Sequence, residues 1–276
     1  MTETFTYTYQ SGDSVETAEV RLPPTSRSDF PSCAIFACAK SGSVLVNAVT
    51  RELMTDAGIP TVDLPSMLYE QGVDIGNIQG DLSHALPRNG YCFAGFRAMP
   101  PSFVGAPAVQ SLRKLLVVRD PRDMLVSRYF SAKFSHSFVA RGTPQFSQII
   151  RQMISDTELD IDSYCLFYSW LINADLFLFE NIITDPETHI LRYEDFIYDK
   201  ERLISSLSDW FGLDVPQDLR ATIAALHHVI PPQERPEDHT RQVHPGDHRR
   251  KLQPKTVDML NGVLGRFMAR FGYQTN

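Results

Sequence analysis

The segment from Cys33 to Gly58 constrains the fold of this chain more than any other stretch. It begins with the apolar run Cys33-Ala34-Ile35-Phe36-Ala37-Cys38, which predicts a buried strand. After a short polar loop, apolar residues recur at helical spacing: Val44, Leu45, Ala48, Val49, Leu53 and Met54. Gly58 is suited to end that helix in a left-handed conformation. The segment therefore predicts a strand, a loop and a helix, with the loop at the helix N-terminus.

The loop, Ala39-Lys40-Ser41-Gly42-Ser43, has residues suited to binding an anion. The first N–H groups of a helix have no intrahelical acceptor and the helix dipole is positive there, so the position favours a phosphate or a sulfate. Lys40 adds a full charge, Ser41 and Ser43 add hydroxyl donors, and Gly42 lets the backbone approach a ligand closely. The loop is not a Walker A motif, since the first glycine and the final Gly-Lys-Ser/Thr order are missing. From these residues alone, an ordinary turn with a solvated lysine is an equally good interpretation.

Composition limits the classes of partner. The 276 residues carry a net charge of −7, which argues against nucleic-acid binding, so any polyanion must be held by a local cluster of basic residues. No apolar run approaches the ~18 residues that span a bilayer, and we expect no stable membrane insertion. Residues 1–10 lack the basic stretch of a secretory signal, and the four scattered cysteines are expected to be reduced core residues. These features predict a cytoplasmic protein.

Three further apolar segments predict strands: 91–96, 114–118 and 189–193. Helical patterns follow, mainly over 124–183, then after Glu194-Asp195, and in a C-terminal helix that opens at Pro254. Strands that alternate with helices favour an α/β fold, in which helices cover both faces of a mainly parallel central sheet.

The remaining segments are expected to be additions to one domain that spans residues 1–276. Residues 1–31 predict a β-hairpin, with its turn at Ser11-Gly12-Asp13, followed by a linker. Residues 60–90 have little periodicity and predict an irregular excursion that shapes an acceptor pocket.

Four polar residues come at or just after the ends of different predicted strands. They are Lys40, Arg97, Arg119 and Tyr193. Ligands of parallel sheets bind beyond the carboxyl ends of the strands, so we expect these four side chains on one rim of the sheet.

The segment from Arg119 to Tyr129, Arg-Asp-Pro-Arg-Asp-Met-Leu-Val-Ser-Arg-Tyr, resembles the sulfotransferases that use 3′-phosphoadenosine 5′-phosphosulfate (PAPS). The family pattern is Arg-x-Pro-x-Asp-x-x-x-Ser, in which the arginine and the serine hold the 3′-phosphate. The resemblance implies that role for Arg119 and Ser127 and a P-loop-like sulfotransferase fold. The residues alone also allow an ion pair between Arg119 and Asp123 and a solvated Ser127.

Three other segments are similar to the family in the same order along the chain. The loop at Lys40 resembles Pro-Lys-Ser-Gly-Thr-Thr, which holds the 5′-phosphosulfate, and this implies cofactor contacts for 40–44, including Ser41, Gly42, Ser43 and Val44. Residues 191–196 resemble the Tyr-Glu-Asp-Leu segment, which implies that Tyr193 touches the adenine. Residues 241–249 resemble a loop that closes over the nucleotide, and this implies cofactor contacts for Arg241, Gln242 and Val243.

The chain also departs from the family pattern. Val44 and Leu45 stand where the family has a second hydroxyl and a tryptophan, and Gln242 and Val243 replace a lysine and a glycine. Arg97-Ala98-Met99-Pro100 is the nearest counterpart of the family's Lys-Thr-His-Leu-Pro. The usual histidine base is therefore missing.

By resemblance, the reaction is in-line transfer of the sulfuryl group from PAPS to a hydroxyl or an amine, without a metal, which leaves adenosine 3′,5′-bisphosphate (PAP). Lys40 is the expected residue for the charge that develops on the leaving phosphate. For the base we favour His84 over His136 and His228, because its segment runs directly into the second strand of the predicted sheet. Arg97 cannot deprotonate a hydroxyl, but it can orient the transferring sulfate or an anionic acceptor, or form a salt bridge.

Two alternatives stay open from the sequence. One is a P-loop-type kinase in which Lys40 and Arg119 bind ATP phosphates, and the other is a nucleotide-binding module of the same fold with impaired catalysis. The acceptor is expected to be a small molecule or a glycan.

Overall fold

The computed structural model describes residues 3–11, 13–135, 159–236, 238 and 240–275. The strands in chain order are β1 (Thr4–Ser11), β2 (Ser14–Arg21), β3 (Cys33–Ala37), β4 (Thr61–Asp63), β5 (Ile78–Gln79), β6 (Cys92–Phe96), β7 (Arg113–Val118) and β8 (His189–Arg192). The α-helices are α1 (Ser43–Asp56), α2 (Leu64–Glu70), α3 (Pro107–Gln110), α4 (Pro121–Phe130), α5 (Ile161–Leu178), α6 (Glu180–Ile183), α7 (Tyr193–Phe196), α8 (Lys200–Phe211), α9 (Gln217–Leu226), α10 (Asp247–Lys251) and α11 (Pro254–Arg270). Short 3-10 helices occupy Ile75–Asn77, Leu82–Ala85 and Pro101–Phe103, and a π-helical turn, Ser131–Ser135, follows α4.

The central sheet is parallel, with strand order β4-β6-β3-β7-β8 within the described residues. Successive side chains of a strand point to opposite faces, so the inner strands contribute to two hydrophobic clusters. Phe36 and Leu116 belong to a cluster with α4, α5 and α11. Ile35 and Leu115 belong to a cluster with α1 and α8. The α/β prediction, with helices on both faces of a mainly parallel sheet, is confirmed.

The N-terminal hairpin is also confirmed, as β1 and β2 pair antiparallel along their whole length. Its turn residue Gly12 lies outside the described residues. The excursion over 60–90 is more ordered than its sequence suggests, because it contributes β4 to the edge of the central sheet and β5 to the edge of the hairpin. The predicted helical pattern around Phe146 to Met153 lies outside the described residues. That the chain is a single domain stays a prediction.

The strand order places the ends of β3 and β7 side by side. The backbone N–H of Cys38, just after β3, donates to the carbonyl of Val117 on β7 at 3.0 Å. The turn after β7 is fixed from the other side, since Glu194 accepts the N–H of Asp120 at 2.9 Å and the hydroxyl of Tyr273 at 3.0 Å. Glu194 thus acts as a structural carboxylate, and the loops after β3 and β7 meet at the carboxyl edge of the sheet.

No helix within the described residues combines the length and the apolar character that crossing a bilayer requires. The same residues contain no group of three or more His, Cys, Asp and Glu side chains suited to holding a metal ion.

Gly95 provides a test of the packing between β4 and β6. Its φ is +86°, and a Cβ atom there would lie 2.0 Å from Oδ1 of Asp63, the residue that caps α2 by accepting the N–H of Ser66. We expect Gly95→Ala to lower the free energy of unfolding by more than ~1 kcal/mol, from the left-handed backbone and the clash together. Urea denaturation monitored by circular dichroism measures the change.

Gly262 on α11 is the matched control. It is exposed, and a Cβ atom there meets nothing within 4 Å. Gly262→Ala should raise the free energy of unfolding by up to ~1 kcal/mol, because alanine has the higher helix propensity. A Gly95→Ala protein as stable as the wild type would contradict the packing described above.

Candidate active site

A cavity of about 1050 Å³ opens at the carboxyl ends of β3, β6 and β7. The four polar residues expected on one rim, Lys40, Arg97, Arg119 and Tyr193, all line it. Gly42, Ser43, Val44, Ser127, Gln242 and Val243 also line it, so most of the residues that the sequence proposed as cofactor contacts come together in one place.

The loop before α1 provides no side-chain cap for the first backbone N–H groups of that helix. Gly42 is the N-cap, no side chain caps the helix, and its first turn has no acidic residue. The first helical hydrogen bond runs from the N–H of Val46 to the carbonyl of Gly42 at 3.2 Å. Gly42 has φ +93°, and a Cβ atom there would lie 2.7 Å from the Tyr193 ring, so only glycine fits. The helix terminus therefore offers backbone donors to an anion in the cavity.

Lys40 is the centre of the positive charge in the cavity. Its ammonium donates to Oγ of Ser131 at 3.1 Å. Burial lowers the pKa of Lys40 to about 8, and the charges of the surrounding arginines act in the same direction. Those arginines are Arg97, Arg119, Arg128 and Arg241. A cluster of basic groups has thus formed locally in a chain of net charge −7.

The two serines of the loop have different environments. Ser43 lines the cavity. Ser41 is fully buried, and its Oγ lies 2.6 Å from the carbonyl of Cys38 and 3.1 Å from that of Val117. This hydroxyl ties the loop to the β7 backbone, so the expectation that it donates to a phosphate has no support in its geometry.

Arg119 is buried, and its guanidinium lies over the Tyr193 ring at 4.3 Å from the centroid. Nη1 donates to the carbonyl of Lys40 at 3.4 Å, and Nη2 lies 3.8 Å from Oδ2 of Asp123. Nε is buried and finds no hydrogen-bond partner in the described part of the chain. Arg119 therefore contacts Asp123 and lines the cavity at the same time, and its guanidinium keeps N–H donors for a ligand.

Asp123 connects α4 to the segment before α10. Its carboxylate is fully buried and accepts the N–H of Gly246 at 2.7 Å and the N–H of His248 at 2.9 Å. It also lies 2.6 Å from Nδ1 of His248. Burial opposes the ionisation of Asp123, but the hydrogen bond with His248 and the charges of Arg119 and His248 lower its pKa to about 2. One carboxylate thus stabilises both a cavity arginine and the backbone that follows Val243.

The segment 241–243 reaches the cavity with two of its three residues, Gln242 and Val243. Arg241 does not line the cavity, because its guanidinium is buried between Glu234 and Asp247 and lies 4.0 Å from the centroid of the Phe130 ring. The Val243 carbonyl accepts the hydroxyl of Tyr193 at 2.7 Å, and burial raises the pKa of that hydroxyl to about 12. Arg241 still affects the cavity at a distance, because its charge contributes to the lowered pKa of Lys40.

The candidate base His84 is not at the cavity. Its side chain is 74% exposed and its Nε2 lies 3.3 Å from the carboxylate of Asp81. His84 lies in the 3-10 helix Leu82–Ala85, which Asp81 caps, and this helix places the imidazole on the surface. His136 lies outside the described residues, and His228 does not line the cavity.

Several lining residues have no counterpart among the sequence-based candidates. They are Asp74, Arg128, Tyr164, Tyr168, Lys200 and His227. Arg128 had one available signal, since it directly follows Ser127 and precedes Ser131 by three residues, one turn of a helix.

The pKa of Lys40 predicts how anion binding depends on pH. An anionic ligand favours the ammonium form, so affinity for PAP should fall as the pH rises through about 8, where free Lys40 loses its proton. Lys40→Arg should remove this dependence between about pH 7 and about pH 9, because arginine keeps its charge. This variant also separates Lys40 from Lys200, whose pKa is likewise lowered by burial. Calorimetric titration across that range measures the change, and equal affinity at both limits in the wild type would contradict it.

The sulfotransferase domain family matches residues 100–235 of the chain. Among solved structures, mouse sulfotransferase SULT7A1 complexed with PAP is 16% identical, with 86% of this chain and 84% of that chain covered and a TM-score of 0.51. Retinol dehydratase in complex with androsterone and the inactive cofactor PAP is 12% identical, with 87% and 82% covered and a TM-score of 0.47. Sulfotransferase STF9 from Mycobacterium avium is 10% identical, with 91% and 78% covered and a TM-score of 0.48. No curated protein matches the sequence.

The matched region includes Arg119, Ser127 and Tyr193, all of which line the cavity. The similarity to SULT7A1 extends over most of both chains and supports the same fold. Residues 100–235 thus match the sulfotransferase domain, and the chain shares the sulfotransferase fold.

Proposed function

We propose that this protein transfers the sulfuryl group of PAPS to a hydroxyl or an amine of a small-molecule or glycan acceptor. The observation that carries the proposal is the meeting of two basic residues from neighbouring parallel strands. Lys40 follows β3 and Arg119 follows β7, and Nη1 of Arg119 donates to the carbonyl of Lys40 at 3.4 Å. Both line one cavity, so a single nucleotide with phosphates at both ends can contact both.

The nucleotide is assigned an orientation by the donors at each end. The 5′-phosphosulfate lies at the start of α1, where backbone N–H groups, Ser43 and Lys40 converge. The 3′-phosphate lies at Arg119 and Ser127. Tyr193 contacts both ends of this arrangement, since its ring packs against Gly42 and under Arg119.

In the proposed reaction, the acceptor oxygen or nitrogen forms a bond to sulfur while the bond between sulfur and the phosphate oxygen breaks. The electron pair of the broken bond stays on the phosphate, and the acceptor loses a proton. Lys40, in its ammonium form, stabilises the charge that develops on the phosphate oxygen. No metal takes part in this scheme, as the chain's own cations supply the positive charge.

In this proposal His84 is not the proton acceptor, because its side chain lies on the surface. Among described residues that line the cavity, Asp74 and His227 are the Asp, Glu or His side chains available. Nε2 of His227 is buried and has no hydrogen-bond partner in the described part of the chain, whereas Asp74 is exposed and accepts the N–H of Gly76 at 2.9 Å. The basic cluster around Lys40 also lowers the pKa of a bound hydroxyl, which reduces the demand on any base.

Ligand titration tests the nucleotide assignment. We expect PAP to bind without Mg²⁺, and adenosine 5′-monophosphate, which lacks the 3′-phosphate, to bind more weakly by about tenfold or more. Tight binding of ATP that requires Mg²⁺ would instead favour the kinase alternative. Binding of PAP without transfer from labelled PAPS to any member of an acceptor panel would favour the module with impaired catalysis.

Two variants assign the roles of the basic residues. Lys40→Ala should reduce transfer from labelled PAPS by roughly 100-fold or more, since it removes the charge at the leaving phosphate. Arg119→Ala should mainly weaken PAP binding and abolish the preference for PAP over adenosine 5′-monophosphate. Lys255→Ala and Arg21→Ala, at exposed positions away from the cavity, are the matched controls. Negligible effects of both cavity variants would refute the proposal.

A further inference from the structure

The cavity contains arginines that the proposed nucleotide contacts do not use, Arg97 and Arg128, and both lie beside the reacting end. Strand β6 pairs with β3 on the edge opposite β7. Arg97 follows β6 and Arg119 follows β7, so the two arginines stand on either side of Lys40. In the orientation proposed above, the nucleotide extends from Arg119 to Lys40. Arg97 therefore lies beyond the transferring sulfate, where the acceptor enters.

Arg128 borders the same end of the cavity. It precedes Ser131 by three residues, and Ser131 accepts the hydrogen bond from the ammonium of Lys40 at 3.1 Å. Residues three apart share a helix face, which places Arg128 toward Lys40. Its guanidinium carbon lies 5.4 Å from the centroid of the Tyr168 ring. Burial raises the pKa of Tyr164, and the charge of Arg128 opposes that rise, so the guanidinium is also beside this phenol.

Neither of these arginines forms an ion pair with a carboxylate in the part of the chain that the structure describes. The contrast with Arg241 is clear, because that guanidinium contacts Glu234 and Asp247. Asp175 is close enough for the charge of Arg128 to lower its pKa, but among the described residues it forms no ion pair. Burial raises the pKa of Asp175 overall, so its carboxyl group is a weak counter-charge for Arg128. Two guanidinium groups beside the reacting end thus keep donor groups that match a planar or tetrahedral oxyanion.

The rest of this end of the cavity is aromatic or apolar. Tyr164 and Tyr168 stack with ring centroids 4.4 Å apart, and both line the cavity. Pro65, Tyr69, Val73 and Ile75 line it from the excursion over 60–90. Such a surface suits an apolar chain, an aromatic ring or the flat face of a sugar.

We infer that the acceptor carries an anionic group, a carboxylate, sulfate or phosphate, which Arg97 and Arg128 bind while its hydroxyl or amine faces the sulfuryl group. This inference rests on the proposed function and names the class of its substrate. The two arginines are specificity residues in this assignment: they select the acceptor by charge, and Lys40 serves the leaving group.

Pairs of acceptors that differ only in charge test the inference. Suitable pairs are 4-hydroxyphenylacetate with 4-hydroxyphenylacetamide, 6-hydroxyhexanoate with its amide, and methyl glucuronide with methyl glucoside. For the best pair, the wild type should show a kcat/KM ratio of anionic to neutral member of about tenfold or more with labelled PAPS. The ratio should approach unity in Arg97→Gln/Arg128→Gln and stay at the wild-type value in Arg21→Gln. Equal use of both members by the wild type, or a ratio that survives in the double variant, overturns the inference.

Binding to the PAP-loaded protein gives a second readout that does not depend on turnover. The anionic member should bind more tightly than the neutral one by calorimetry, and the double variant should lose this difference. Absence of any charge preference also overturns the inference. Arg97 is exposed, so Arg97→Gln alone should reduce the preference in a folded protein even if Arg128→Gln disturbs α4. Failure of PAP itself to bind would refute the proposed function, whereas PAP binding without charge preference refutes only the acceptor class.

Discussion

Mutual repulsion among the basic groups around Lys40 is the constraint to which the rest of the site responds. Like charges brought together in a partly buried cavity raise the free energy of the folded state. The protein offsets this at the outer arginines with carboxylates and aromatic rings. Asp123 and the Tyr193 ring contact Arg119, while Glu234, Asp247 and the Phe130 ring contact Arg241. Lys40 has no carboxylate partner in the described structure, and its pKa is lowered first by burial and then by the charges of the surrounding arginines.

The compensating carboxylates also determine the shape of the cavity. Asp123 accepts two backbone N–H groups from the segment that carries Gln242 and Val243 to the cavity, and Tyr193 holds the same segment through the Val243 carbonyl. The contacts that compensate the charge of Arg119 are therefore made by the same side chains that hold the loop in position. A substitution of Asp123 disturbs the charge balance and the loop at once. The buried N–H groups of Gly246 and His248 lose their acceptor, and Arg119 loses its counter-charge.

Much of the fold could be predicted from the sequence because each of the longer strands of the central sheet contains an apolar run. β3, β6 and β8 fall within the predicted segments, and β7 begins one residue before its predicted segment. β4 has three residues with Val62 alone fully buried, and β5 has two residues, so neither is long enough to show a strand pattern. Their strand geometry comes from pairing with β6 and β1, which is a tertiary contact.

The site was predictable where a residue directly follows a strand, as with Lys40, Arg97 and Arg119, since the parallel sheet brings those positions together. Side-chain direction was not predictable. Ser41 turns to the carbonyl of Val117, 76 positions away in sequence, and Arg241 is held between Glu234 and Asp247. His84 precedes β6 in the chain, but a capped 3-10 turn directs it to solvent. Arg128 belongs to no motif, and its relation to Lys40 appears only in the folded structure, through Ser131 and through its effect on the pKa of Lys40.

Lys40 has φ +69°, and it is the one residue other than glycine with a positive φ in the described part of the chain. A left-handed backbone costs an ordinary residue ~1–2 kcal/mol relative to glycine. Glycine at this position would relax the loop, yet it would remove the ammonium to which we assign the charge on the leaving phosphate. Under that assignment, thermal stability and catalytic activity conflict at this one residue, and engineering that screens for heat tolerance alone would select an inactive protein.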